Sequence, residues 1–119
     1  MTDDVLDWLN PQVQAPLRRR AQSTLDPQDE QMALSMVALY RDYEFARNRS
    51  NDEERKAECE KIDAAAAEIG QTLCSSGGAK RMLLVSLRAQ THLNMRRPGG
   101  DIGMRTIELW WNGICGWQA

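Results

Sequence analysis

The sequence is poor in the residues that most enzymes and metal sites depend on. It has one histidine, three cysteines and one phenylalanine in 119 residues. His92, Cys59, Cys74 and Cys115 would make four zinc ligands. No two of them, however, stand at the two-to-four-residue spacing of a structural site, so no metal is expected. A Cys–His nucleophilic pair would need His92 brought beside a thiol, and no glycine-rich loop surrounds any of the cysteines. Gly77-Gly78-Ala79-Lys80 lacks the first glycine and the Lys-Ser/Thr pair of a phosphate loop, and it follows helical rather than strand sequence. The paired carboxylates Glu53-Glu54 and Glu58-Glu60 lie in a charge-rich segment, where a solvated helix face is the default. Catalysis and a cofactor are therefore not expected.

Other absences bound the setting. No apolar run approaches the roughly 18–20 residues of a membrane span. The acidic start MTDDVLDWLN has no basic stretch followed by an apolar one, so it does not read as a secretory signal. Three widely spaced cysteines do not suggest a disulfide framework, and reduced thiols in a cytoplasmic protein fit better. No helix-turn-helix, ribonucleoprotein or zinc-finger pattern occurs. The pI of 5.4 is low for a dedicated nucleic-acid binder.

What the chain does have is charge sorted along its length. Residues 26–69 carry twelve acidic and six basic side chains, whereas residues 78–119 carry two acidic and six basic ones. The net charge of −2 conceals this asymmetry. Three of the four tryptophans, Trp110, Trp111 and Trp117, lie in the basic part. The hydrophobic content of 42% and charged content of 27% suit a soluble globular domain. Its length suits one domain with a real core.

The pattern is helical throughout. Asp3 and Asp4 can cap a short helix over Val5–Leu9, and a second short helix is expected within Gln12–Leu25. Its ordered part would begin near Ala15, because proline is tolerated only in a first turn. Asp26-Pro27, followed by Asp29 and Glu30, is a strong helix start. From there Met32, Met36, Leu39, Tyr43 and Ala46 form one stripe running to about Arg47. Ser50 and Glu53 have capping-box spacing. Cys59, Ile62, Ala66, Ile69 and Leu73 then form a second stripe, ending near Cys74. Two matched stripes joined by a polar turn predict an antiparallel hairpin over 27–74, with one long bent helix as the alternative. Ser75–Gly78 closes that unit.

A fifth helix is expected from Ala79 to about Met95. It is apolar on two sides, as in the middle of a bundle. Residues 104–117 suit either a last helix or a short β-hairpin turning at Asn112-Gly113, and the helix is preferred because a lone hairpin is marginal. The expected fold is a single all-α domain: a bundle of five to six helices built on the hairpin. Residues 1–25 would supply short N-terminal helices, 27–74 the acidic hairpin and 79–119 the basic, Trp-rich part.

Two surfaces stand out as candidate binding sites. Arg81, Arg88, His92 and Arg96 fall within about an 80° arc of a helix. Arg97, Arg105, Trp110 and Trp111 lie near them in sequence. This face could grip acidic groups of a partner, or it could pair with the acidic hairpin of the same molecule. The other candidate is the acidic face of Glu53, Glu54 and Glu58. Shape and charge without catalytic groups point to a small adaptor, regulator or inhibitor docking on a larger protein. Phage- or mobile-element-encoded inhibitors supply the analogy. A nucleic-acid-binding regulator working through residues 80–97 is the alternative, and a homodimer completing a four-helix bundle is a further option.

Overall fold

The computed structural model describes residues 11–96 and 109–117. Among the described residues there are three α-helices and no strand: α1 (Pro11–Arg20), α2 (Pro27–Arg47) and α3 (Asp52–Arg96), followed by a 3-10 turn at Ile114–Gly116. The all-α class holds. The expected five to six helices are corrected to three among the described residues, because the expected fourth and fifth helices form a single interrupted element. The expected helix at Val5–Leu9 lies outside the described residues. The alternative C-terminal β-hairpin is also corrected. Leu109 and Trp110 are helical, and the Ile114–Trp117 segment that would have returned as a strand is a 3-10 turn ending at Trp117.

Each helix boundary has a local cause. Proline at the first position starts α1, since its missing N–H would be unsatisfied there anyway. Pro16 falls inside α1 rather than at its beginning, so the helix starts earlier than the expected Ala15. Asp26-Pro27 starts α2 as expected. The cap, however, is made by Glu30, whose Oε1 reaches back to accept the Leu25 N–H at 2.9 Å, while Asp26 makes no side-chain cap bond. At α3 the capping side chain is Asn51 rather than Ser50. Its Oδ1 accepts the Glu54 N–H at 3.0 Å.

Helix α3 does not stop at Cys74. It continues through Ser75, Ser76 and Gly77 and leaves helical geometry at Gly78 alone, with φ +72° and ψ −168°. A residue with a Cβ strongly disfavours that conformation, so the chain bends where the sequence permits it. The half of α3 before Gly78 lies along α2. Tyr43 and Arg47 at the end of α2 share a cleft with Asp52 and Cys59 at the start of α3. Asp29 at the other end of α2 meets Arg81 beyond the break. The half after Gly78 runs between α2 and α1, with Met82, Leu83, Val85, Leu87, Ala89 and Leu93 all buried. That double-sided burial is what its two apolar bands demand.

The C-terminal turn closes the core. Trp111 and Trp117 are fully buried and meet edge to face, with ring centroids 5.3 Å apart. Trp111 Nε1 donates to the Ala66 carbonyl at 2.9 Å. Cys74 and Cys115 are joined by a disulfide with Cα atoms 5.9 Å apart, pinning this turn to α3. The expectation of three reduced thiols is thereby corrected, and Cys59 is the free cysteine. Two cysteines 41 residues apart carry no local signal of pairing; the folded packing of Trp111 and Trp117 brings them together.

Glycine is required where Trp111 lies on α3. A Cβ added at Gly70 would sit 2.7 Å from Trp111 Cδ1 and 2.8 Å from its Nε1. Gly70→Ala is expected to destabilise the protein by about 1–3 kcal/mol through overpacking, despite alanine's better helix propensity. Urea unfolding followed by tryptophan fluorescence reads this directly. Unchanged stability would mean that the indole moves aside freely.

Candidate functional site

The basic stripe of α3 is turned into the molecule. Arg81 Nε donates to Asp29 Oδ1 at 2.7 Å, and its Nη1 reaches Ser76 Oγ. Arg88 is 8% exposed. Its Nε donates to Glu30 Oε1 at 3.1 Å, and its Nη1 donates to the Ala21 carbonyl at 3.1 Å. His92 Nε2 lies 2.8 Å from Glu30 Oε2. Glu30 thus binds the cap of α2, the basic stripe of α3 and, through Arg88, the chain leaving α1. Burial pushes the Glu30 carboxyl upward. The Leu25 N–H, His92 and Arg88 outweigh it and hold its pKa below the ordinary 4.5.

The remaining members of the candidate basic face are scattered. Arg96 is the last residue of α3, and Arg97 and Arg105 lie outside the described residues. Trp111 is in the core. Trp110 is half-buried; its Nε1 donates to Asp63 Oδ1 at 2.6 Å and its ring meets the edge of Tyr43 at 5.6 Å. The Arg47 guanidinium stands over the other partner in that contact, 5.8 Å from the Tyr43 ring centroid. Tyr43, Asp63 and Trp110, with Leu109, which is 60% exposed, border a cleft of about 340 Å³.

The acidic candidates stay at the surface. Glu53 is exposed. Glu54 is exposed and 4.0 Å from Arg49. Glu58 is half-buried one turn further along α3. None of the three meets Arg81, Arg88 or His92.

A different surface, which the charge pattern did not single out, is apolar. An apolar groove of about 500 Å³ runs between α2 and α3, lined by Met32, Ala38, Leu39, Ala65 and Ile69, with Glu68 at its edge. Two large apolar residues stand exposed beside it on α2, Leu34 at 42% and Phe45 at 74%. They are eleven residues apart, so at 100° per residue they point within about 20° of one another. Ala38 falls between them in sequence and about 40° from Leu34, joining the stripe to the groove.

The groove arises from how α2 meets α3. Of the expected stripe of Met32, Met36, Leu39, Tyr43 and Ala46, Met36 and Ala46 are buried. Ala33, Val37 and Tyr40 complete the buried seam, which is rotated from the expected one, and Met32, Leu39 and Tyr43 are left half-covered. Helix α2 is apolar over a wider arc than one neighbour can cover. A count of its apolar positions on both sides of the expected stripe, including Leu34 and Phe45, would have shown this.

His92 is engaged by Glu30, Cys74 and Cys115 are bonded to each other, and no cluster of His, Cys, Asp and Glu able to hold a metal ion occurs among the described residues. No helix among the described residues is long and apolar enough to cross a membrane. The chain matches no protein-family model, no curated protein and no solved structure.

Proposed function

We propose that this is a non-catalytic interaction protein, an adaptor, regulator or inhibitor, that docks on a larger protein through the outer face of α2 and the groove beside it. The observation that carries this reading is the exposure of Phe45 at 74% and Leu34 at 42% on one side of α2, beside an apolar groove. Single exposed apolar residues are ordinary, but a contiguous apolar surface is a mark of an interaction site. Phenylalanine and leucine presented by a rigid helix make good anchors, because little side-chain entropy is lost on docking.

The nucleic-acid reading has less support. Arg81, Arg88 and His92, which would have supplied its phosphate contacts, are engaged by Asp29 and Glu30. The cytoplasmic setting expected from reduced thiols loses its basis in the Cys74–Cys115 bond. An oxidising compartment, where such bonds persist, is the setting we favour.

Phe45→Glu combined with Leu34→Glu tests the reading. Both sites are exposed, so the variant should keep native circular dichroism and melting behaviour. A partner captured by the wild-type chain from nuclease-treated lysate should be lost, a fall in affinity of about 100-fold for two anchors of ~1.5 kcal/mol each. Undiminished capture would remove this face as the docking surface.

A further inference from the structure

We infer that the α2–α3 groove takes an amphipathic helix of a partner protein whose flanks are basic. This deepens the docking reading above and rests on it. Three observations support it: the shape of the groove, its chemistry, and the charge on its rim.

The groove follows two helices that run alongside each other, and its floor is built from Ala38, Ala65, Leu39 and Ile69. Small side chains facing one another leave a trough into which a third helix can press its apolar ridge. On α2 the groove runs from Met32 to Leu39, about 10 Å along the helix axis. That length matches the i, i+3, i+4 and i+7 anchors of a partner helix. Leu34 and Phe45, within about 40° of Ala38, add apolar surface on the outer side of the groove.

The rim selects the flanks. Asp42 projects between the directions of Ala38 and Leu39, at about 40° and 60° from them. Glu58 points within about 20° of both Ala65 and Ile69, continuing their row toward the start of α3. Glu68 lines the groove itself. None of these three carboxylates has an ion-pair partner among the described residues. Lys61 is the basic residue of α3 on the same side, and Arg41 stands on α2 within about 40° of Leu34 and Phe45. Three unpaired carboxylates against Lys61 and Arg41 leave the surface net acidic. A polyanion would be repelled, and a second copy of the chain would bring its own carboxylates against these. Lysine or arginine flanking an apolar stripe satisfies both the floor and the rim.

The test uses the full, oxidised chain and two labelled peptides of about 18 residues with the same leucine stripe, flanked by lysines in one and glutamates in the other. Fluorescence anisotropy should show the lysine peptide binding about ten-fold or more tightly than its twin at low salt, a margin that narrows as salt screens the rim. Asp42→Lys, Glu58→Lys and Glu68→Lys together should reverse the preference. Ala38→Glu, which places a charge on the floor, should abolish binding of both peptides with circular dichroism unchanged. Equal binding of the two peptides, or binding indifferent to Ala38→Glu, would overturn the inference. So would a dimer, seen by sedimentation equilibrium, that Ala38→Glu dissociates. If neither peptide binds but the Phe45 and Leu34 substitutions still release a captured partner, the docking face stands and the basic-helix inference falls. If those substitutions release nothing as well, both readings fall.

Discussion

Arg88→Ala is expected to cost about 3–5 kcal/mol of stability, the range for removing one partner of a buried ion pair. The side chains of Arg88 and Glu30 are only 10% and 15% exposed. Truncating the arginine leaves a carboxylate shielded from water and takes away the bond that ties α3 to the Ala21 carbonyl. Urea unfolding of the single variant should show most of the loss. Replacing Glu30 with glutamine as well should recover part of that loss, because no unpaired carboxylate remains and the amide oxygen can still accept the Leu25 N–H. A loss under about 1 kcal/mol for the single variant would mean that water reaches Glu30 freely. The same carboxylate fixes a pH dependence. Its folded pKa is depressed, so its stabilising contribution is present above the unfolded value near 4.5 and disappears as pH falls through the lower folded value. The stability gap between wild type and Glu30→Gln should therefore shrink as pH falls below about 4.5. A gap that does not change with pH would contradict that assignment.

Opening the Cys74–Cys115 bond is expected to remove about 4 kcal/mol, the loop-entropy value for a separation of 41 residues. The bond holds a turn that has little regular structure of its own. Cys115 has φ +54° and is flanked by Gly113 at +92° and Gly116 at +75°. Without the bond, the packing of Trp111 and Trp117 and the indole hydrogen bond to Ala66 must hold this turn on the core. Cys74→Ser with Cys115→Ser should melt well below the wild type and match wild type measured in strong reductant. Cys59→Ser, at the free cysteine, should melt with the wild type. Identical melting of the oxidised and reduced proteins would show that the tryptophans suffice.

The legible parts of the sequence were those set by local chemistry. Pro27 starts α2, and Arg47 ends it where the stripe ends. The two apolar bands after Ala79 are buried on both sides, as a helix of that pattern requires. What could not be read depends on contacts between distant residues. The arc at 81, 88 and 92 was visible as a stripe. Its direction was decided by Asp29 and Glu30 more than fifty residues earlier. The rotation of α2, which buries Ala33 and Tyr40 and leaves Leu39 half-covered, depends on which side of the helix α3 occupies. Periodicity gives a stripe's position around a helix but not which of two adjacent apolar stripes wins the neighbour. The candidate site lies in that ambiguity, on the stripe that lost.

The break at Gly78 decides the size of the whole molecule. Continued straight, the 45 residues of α3 would make a rod of about 68 Å, against a longest dimension of 44 Å for the protein. One residue outside the helical region bends that rod. It is this bend that returns Arg88 and His92, more than fifty residues along the chain, to the Glu30 at the start of α2.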